Sequence, residues 1–285
     1  MNDTAPATAI ALATSGWEAR LELSYVRRGQ RTVIDRREHY GPLVVQKPLY
    51  PEGESVCQSV IVHPPGGIAG GDRLLIDVEV GEYARTQLTT PGATKWYRST
   101  GAPAQQILRL AAAKGSLLEW LPQESIVFEG AIAKLVTEVT LSEDSVFLGW
   151  DVVCLGRRLA GEEWTRGSLR HDLVLRRDGR RQWTERAVID GGNDLLYARC
   201  GLATKTVFGT FFASATHIPN DLMASSRAIV CDEGEAAVTL LPGVFLARYR
   251  GDSPEAARKY FTALWACARP ALAKMSAVTP RIWNT

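Results

Sequence analysis

The stretch His63-Pro64-Pro65-Gly66-Gly67-Ile68-Ala69-Gly70-Gly71-Asp72 decides how the fold is interpreted, because strand residues follow it at once in Leu74-Leu75-Ile76. Its two prolines fix φ and remove two backbone donors, while its four glycines permit a crowded or left-handed backbone. A phosphate-binding loop would instead continue with Lys and Ser or Thr and then open a helix. The stretch is therefore predicted to be a tight structural turn or a shaped loop that meets a partner.

The segments around this loop alternate apolar and polar residues with a period of two. The alternation is clearest at residues 17–25, where Trp17 begins the apolar series, and at residues 74–80 and 133–141. Such alternation is typical of strands with one buried face. Asp178-Gly179, between two further alternating segments, predicts a hairpin.

Helical patterns are scarce. Ser253-Pro254-Glu255 predicts the start of a C-terminal helix, since serine can cap, proline suits the first position and glutamate suits the positive helix end. Pro270 is expected to bend or end this helix, and a weaker helix is expected near residues 220–226. The sequence thus predicts a mainly β, single-domain fold at residues 16–285 behind a flexible tail at residues 1–15.

Composition limits the classes of function. The chain has 285 residues, of which 46% are hydrophobic and 22% charged, with a net charge of +2; it is predicted to be globular, without nucleic acid as a partner. Its five cysteines form no C-x-x-C pair, which is typical of reduced intracellular thiols. The sequence has no signal-peptide pattern and no apolar run long enough to cross a bilayer, so a soluble, cytoplasmic protein without a membrane partner is expected.

The motifs of common enzymes are absent, including G-x-S-x-G, H-E-x-x-H and a G-x-G-x-x-G that opens a helix. The four histidines, His39, His63, His171 and His217, are far apart in sequence. A lone histidine is more often a hydrogen-bonded structural residue than a ligand. His63, beside the two prolines, is the first to consider as an exception.

Several acids lie at the edges of apolar segments: Asp72, Glu124, Asp151, Glu162 and Glu163. A buried carboxylate is costly unless it is paired, hydrogen-bonded or bound to a metal. A salt bridge to one of the many arginines, or simple exposure, is the commoner explanation. Both explanations stay open alongside a functional one.

Two polar loops allow two explanations each. In residues 88–98, Pro91-Gly92 suggests a type II turn, and the hydroxyls of Thr89 and Thr90 either cap turns or line a wet channel. The second loop carries a basic cluster around Gly29, made of Arg27, Arg28, Arg31, Arg36 and Arg37. This cluster is a solvated hairpin tip or a patch that faces a partner.

Taken together, five stretches in order resemble the urease accessory protein D family (UreD, also called UreH). They span residues 17–285 and are His63-Pro64-Pro65-Gly66-Gly67 with Gly70-Gly71-Asp72, Thr89-Thr90-Pro91-Gly92-Ala93 with Lys95, Leu121-Pro122-Gln123-Glu124, Gly161-Glu162, and Pro280-Arg281-Ile282-Trp283. Each stretch is weak alone, and their joint occurrence is specific. The resemblance implies a β-helical, solenoid-like body with about two helices, an arrangement that period-two alternation cannot distinguish from a sandwich.

The resemblance also implies a function without catalysis. Family members act as scaffolds that bind the urease accessory protein F, the GTPase accessory protein G and the urease apoprotein, and nickel is thought to pass through their interior. No tightly bound cofactor is expected, only transient Ni²⁺. A relay must bind each ion loosely enough to release it, and scattered oxygen ligands suit that role better than a store.

The residues expected to serve this role are motif members. The candidates for transient contact with nickel are Asp72, Glu124, Asp151, Glu162, Thr89 and Thr90. The candidates for facing a partner are His63, Gly66, Gly67, Gly70, Gly71, Pro91, Gly92, Lys95, Arg281 and Trp283. We expect the C-terminal end to dock back on the body or to form part of the surface for accessory protein F.

Two other functions stay open. One is a pure assembly scaffold, with nickel taking another route. The other, from a different class, is a β-solenoid hydrolase that cuts glycans with paired carboxylates, although no motif supports it.

Overall fold

The computed structural model describes residues 16–284, and the tail expected at residues 1–15 lies outside them. Among the described residues there are eighteen strands and three α-helices. The strands are β1 (Glu18–Arg28), β2 (Arg31–Tyr40), β3 (Val44–Val45), β4 (Cys57–Val62), β5 (Gly67–Ile68), β6 (Arg73–Val80), β7 (Arg85–Thr89), β8 (Thr94–Trp96), β9 (Ala104–Ala112), β10 (Leu117–Trp120), β11 (Ser125–Val127), β12 (Ile132–Leu141), β13 (Val146–Leu155), β14 (Ser168–Arg177), β15 (Arg180–Asp190), β16 (Val207–Ser214), β17 (Glu235–Leu241) and β18 (Val244–Gly251). The helices are α1 (Asp194–Tyr197), α2 (Asn220–Arg227) and α3 (Pro254–Ala273), with single 3₁₀ turns at Arg158–Ala160 and Arg281–Asn284.

The chain winds as a β-solenoid of about four turns. Successive turns add strands to three parallel ladders, β1-β6-β9-β12-β14, β4-β7-β10-β13 and β5-β8-β11-β13. The long strand β13 takes part in the last two ladders, because its first half pairs with β10 and its second half pairs with β11. The mainly β, solenoid-like fold with a C-terminal helix is therefore confirmed.

Antiparallel strands complete both sheets. In the first sheet, β2 pairs with β1 at one edge and β15 pairs with β14 at the other. The β14–β15 turn has φ of 50° at Asp178 and 74° at Gly179, the left-handed geometry that two-residue hairpins favour. In the second sheet, β13 continues into β16, β18 and β17.

Hydrogen-bonded register places side chains of the first sheet in rows that run along the solenoid axis. One inward-facing row contains Ala19, Leu74, Gln106, Leu135 and His171. The next contains Leu21, Ile76, Leu108, Thr137 and Leu173. Because the register fixes which face each position takes, polar members such as His171 lie inside with the apolar ones.

Strands β4, β7, β10, β13 and β16 of the second sheet are buried on both faces, which explains their long apolar runs. The inner face of this sheet closes the solenoid, while its outer face packs against α3 through residues such as Trp150, Phe211 and Phe261. Ser253 caps α3 by accepting a hydrogen bond from the Ala256 N–H at 3.1 Å, as the sequence predicted. The helix continues past Pro270 to Ala273, so Pro270 does not end it, and Leu272 in its last turn belongs to the buried cluster that α3 shares with the second sheet.

Of the other two helices, the sequence predicted one. The weaker helix expected near residues 220–226 is α2, and the single turn α1, capped by Asn193, was not predicted. Among residues 16–284, no helix combines the length and the apolar character that a membrane span requires.

Three local predictions are corrected. Trp17 is 60% exposed, because β1 begins one residue later and Asp72 holds the Trp17 N–H at the rim of the sheet. Residues 94–96 of the polar loop at residues 88–98 pair as the short strand β8 rather than remaining a loop. The Pro91-Gly92 turn is not type II, since that turn requires a positive φ at Gly92, which Gly92 does not have.

Candidate functional site

A cavity of about 160 Å³ lies inside the solenoid, between the first and second sheets. The first sheet lines it with Leu74, Ile76, Gln106, Leu108, Leu135 and Thr137, and the opposite wall contributes Thr90, Trp120, Gln123 and Asp151. This volume has room for several water molecules, and its wall supplies the polar partners that buried water needs.

The cavity opens to the surface between the two glycine-proline loops of the sequence. Exposed Gly66, Pro91 and Gly92 all line it. His63 lies there too, half-buried, and its Nδ1 makes no hydrogen bond. Burial lowers the pKa of His63, against the opposing charge of Asp72, so its imidazole is neutral near pH 7.

The glycine-rich loop owes its composition to close packing at this mouth. A Cβ on Gly67 would lie 2.3 Å from the Tyr97 ring, so only glycine fits where β5 pairs with β8. Gly70 lies against the Ser99 side chain, and the Gly71 N–H donates to the Pro103 carbonyl at 3.1 Å. Lys95 is exposed on β8 beside this loop.

Asp151 on β13 lines the inner end of the cavity, and His171 on β14 lies behind it in contact with its carboxylate. The His171 Nε2 lies 3.5 Å from the Asp151 Oδ2, and His171 is only 2% exposed. Neither ring nitrogen makes a well-formed hydrogen bond, and neither does that carboxylate oxygen. Burial lowers the pKa of His171, but the contact with Asp151 and its charge outweigh burial, so the pKa stands above its ordinary value.

The other three acids proposed for nickel contact are held by protein groups at separate places. Asp72 accepts hydrogen bonds from the Trp17 N–H at 2.7 Å and the Ala69 N–H at 2.8 Å, which closes the glycine-rich turn. The Glu124 Oε2 lies 3.2 Å from the Arg258 Nε. Asp151 is therefore the one acid of the four that lines the cavity.

Glu162 belongs to a surface loop beside Gly156. The Arg157 Nε and Nη2 donate to its Oε1 at 3.0 and 2.6 Å, and the Arg157 backbone N–H donates to its Oε2 at 2.8 Å. The hydrogen bond from the Arg157 side chain holds the pKa of Glu162 below its usual range.

The two threonines point in opposite directions, because they are neighbours on an extended chain. Thr90 lines the cavity and accepts a hydrogen bond from the Gln123 N–H at 2.9 Å. Thr89 faces the other side of the sheet, where its Oγ1 donates to the Leu121 carbonyl at 2.6 Å and accepts from the Trp283 Nε1 at 2.8 Å.

The C-terminal end docks on the outer face of the second sheet. The Trp283 ring lies 5.6 Å from Trp150 and 6.2 Å from Trp265 between centroids. Arg281, two residues earlier, is exposed. Of the two positions expected for this end, the docked one is observed.

Sequence reasoning passed over His171 as a site residue. The signal was present, because His171 shares its inward phase with Leu169 and Leu173 in an alternating strand. Among residues 16–284, no three His, Cys, Asp or Glu side chains come close enough together to hold a metal ion. The cavity thus offers isolated or paired donors, which suit weak coordination rather than storage.

Comparison with known proteins shows which chains are similar to this one in sequence. The family profile described as UreD urease accessory protein matches residues 18–284. A protein named urease accessory protein UreD from Azoarcus sp. (strain BH72) is 48% identical over 285 residues, covering 100% of both chains. Proteins of the same name from Dechloromonas aromatica (strain RCB) and Pseudomonas aeruginosa (strain PAO1) are 50% and 49% identical, each covering 94% of this chain and 95% of the relative.

Proposed function

The chain belongs to the UreD urease accessory protein family, and from this premise we propose that it is a scaffold through whose interior nickel reaches apo-urease. Family membership by itself gives the chain a role in urease maturation. The proposal adds the route of the metal, the absence of catalysis and the set of partners.

The observation that carries the proposal is the cavity inside the solenoid, with its mouth between the two motif loops. Of the six residues expected to contact nickel, Thr90 and Asp151 line it. For Asp72, Glu124, Glu162 and Thr89, contact with nickel stays a prediction. In this structure an ion pair holds Glu124, and hydrogen bonds to protein groups hold the other three.

The chemistry of the lining suits a dication that must keep moving. Hydroxyl and amide oxygens of Thr90, Gln106 and Thr137 can replace hydration water without adding charge. A single carboxylate at Asp151 attracts the ion, and its charge acts strongly because the interior has a low effective dielectric constant. Nickel accepts oxygen and imidazole ligands alike, and few donors at each point keep its affinity low.

The partners in this proposal are urease accessory protein F, the GTPase accessory protein G and the urease apoprotein, in the cytoplasm. The exposed loops around the mouth, with Lys95 beside them, are the surface that we assign to one of these partners. We assign no catalytic residue, and nickel is cargo rather than a resident cofactor.

A block at the mouth tests the passage. Gly92 is exposed, its φ is not positive and a Cβ there meets no atom within 4 Å, so Gly92→Trp adds bulk to the mouth without disturbing the backbone. Gly92→Ala is the matched control. A second bulky variant, Thr137→Met, fills the interior of the cavity from the first sheet. Each variant is co-expressed with urease and the other accessory proteins, and the nickel content of purified urease is measured.

We expect both bulky variants to lower nickel in urease several-fold relative to Gly92→Ala, while the complexes still co-purify. Full nickel content with intact complexes would overturn the passage. The chain would then be an assembly scaffold only.

A further inference from the structure

A second space lies beyond the inner end of the cavity. It is a surface groove of about 650 Å³ between β15 of the first sheet and strands β16, β17 and β18 of the second. In the second sheet, Asp151 lines the cavity while its direct partner Thr210 on β16 lines the groove. Adjacent strands are roughly 4.8 Å apart, so the two spaces come within one strand spacing of each other.

His171 occupies the corresponding position in the first sheet. Its row runs from Leu135, which lines the cavity, through His171 to Ala187, which lines the groove. One strand, β14, therefore separates the two spaces on this side. Across the interior, His171 meets Asp151 at 3.5 Å, so this pair forms the wall between cavity and groove.

This wall contains an unusual concentration of buried polar atoms without hydrogen bonds. They are both ring nitrogens of His171, the Oδ2 of Asp151 and the Oε2 of Glu185. Buried polar atoms in native proteins almost always have partners, and an exception calls for an explanation. An imidazole and a carboxylate that face each other inside a protein are a pair of donors suited to a divalent transition metal.

We propose that His171 and Asp151 form a two-ligand station for Ni²⁺ in the wall between the internal cavity and the groove. The groove is then the second opening of the passage. This inference rests on the proposed function and adds to it a ligand, His171, and an opposite end.

The charges around the station favour occupancy there rather than deeper in the groove. Arg248 donates to the Glu185 Oε1 at 2.8 Å and to the Thr210 Oγ1 at 3.3 Å. Its guanidinium neutralises Glu185 and opposes a dication on the groove side. On the cavity side of the wall, the lining that the described residues form includes no Arg or Lys side chain.

Nickel binding to the purified full-length chain tests the station. Ni²⁺ is titrated by calorimetry into the wild type, His171→Gln and the matched control His217→Gln, which makes the same change at an exposed histidine. We expect His171→Gln to weaken the tightest site at least about tenfold, as loss of a ligand should, and His217→Gln to leave it unchanged. Equal affinity in His171→Gln and the wild type would overturn the station.

A measurement on the wild type avoids any failure of the variant to fold. Substoichiometric Ni²⁺ is paramagnetic in octahedral coordination and should broaden the NMR signals of the His171 imidazole before those of His39 and His217. Broadening of the surface histidines alone would overturn the station.

The two proposals fail in distinguishable ways. If Gly92→Trp lowers nickel in urease while His171→Gln binds and delivers nickel like the wild type, the passage stands and the station falls. If Gly92→Trp delivers nickel normally, the passage falls, and a site lost in His171→Gln would be a metal site without a delivery role.

Discussion

Among the residues that the structure describes, two clusters of buried charged side chains lie on opposite faces of the second sheet. On the outer face, Arg269 of α3 joins Glu119 and Glu52. On the inner face, Asp151 meets His171. The first cluster is fully partnered and the second is not, which fits a structural role for the first and the functional role that we propose for the second.

The outer cluster, here called the helix clamp, consists of Arg269, Glu119, Glu52 and Trp265. The Arg269 Nε lies 3.0 Å from the Glu119 Oε1, and its Nη1 and Nη2 meet the Glu52 carboxylate at 2.6 and 3.1 Å. The Trp265 Nε1 donates to the Glu119 Oε1 at 2.6 Å. Arg269 also donates to the Ser276 carbonyl, so the clamp holds both α3 and the segment after it.

The inner cluster lacks this completeness. A single 3.5 Å contact joins Asp151 to His171, and both imidazole nitrogens stay without a hydrogen bond. A network with every atom partnered rigidifies a fold, whereas unsatisfied atoms cost stability and persist where another requirement keeps them.

The largest effect is expected from breaking the helix clamp. Arg269→Met keeps the volume and removes the charge, which leaves two buried carboxylates without their partner. Removing one partner of a buried pair typically costs about 3–5 kcal/mol, and we expect a loss of that order in the free energy of unfolding, measured with urea. The control Arg227→Met, at an exposed position of α2, should change it little. A loss in Arg269→Met no larger than in this control would show that the clamp is not structural.

A smaller effect is expected where the C-terminal end docks. Trp283→Ala removes the contacts with Trp150 and Trp265 and the hydrogen bond to Thr89. Since Trp283 is only half-buried, we expect a loss of about 2 kcal/mol in the free energy of unfolding, below the cost of emptying a full core site. Arg281→Ala, at an exposed neighbour, is the control. If deletion of residues 280–285 changes neither solubility nor binding of accessory protein F, this end has no role in the F surface.

The inner cluster should respond oppositely to the clamp. His171→Phe combined with Asp151→Leu keeps a ring against Phe208 and replaces both members of the poorly paired contact by apolar groups, which is nearly neutral. We expect the free energy of unfolding of this double variant to stay within about 1 kcal/mol of the wild type. Leu173→Ala, two residues along the same face, should lower it by about 2–5 kcal/mol. A loss in the double variant as large as in Arg269→Met would remove the contrast between the clusters.

The same two clusters show which parts of the fold could be predicted from the sequence and which could not. Alternation predicted the first sheet well, because that sheet has one solvated face, as in residues 74–80. It could not assign inward and outward positions in residues 146–155, since β13 is buried on both faces and Asp151 sits in a nearly continuous apolar run. The direction of Asp151 therefore came only from the structure.

Long-range pairing was equally hidden. Glu119 and Arg269 are 150 residues apart, and the solenoid that brings them together depends on register between strands that no local pattern encodes. The resemblance to a family supplied the solenoid. The phase of His171 was visible in its own strand, but its partner Asp151 belongs to the opposite sheet.

The smallest effect is expected at the surface pair of Glu162 and Arg157, which lies outside both buried clusters. The hydrogen bond from Arg157 lowers the pKa of Glu162 in the folded state. The ionised carboxylate therefore stabilises the fold at neutral pH, and this contribution is lost as the pH falls through the folded-state pKa. Because Arg157 is largely exposed, Glu162→Gln should cost less at pH 7 than Trp283→Ala.

The pH dependence sharpens that last comparison. The difference in unfolding free energy between the wild type and Glu162→Gln should shrink as the pH is lowered below the usual range of a glutamate, because the wild-type carboxyl is then protonated as well. Glu163→Gln, at an exposed neighbour, should show no such convergence. A difference that persists unchanged in acid would mean that Glu162 acts through something other than its charge. If Glu162→Gln instead lowers the nickel content of urease without changing the free energy of unfolding, Glu162 acts in nickel delivery rather than in stability.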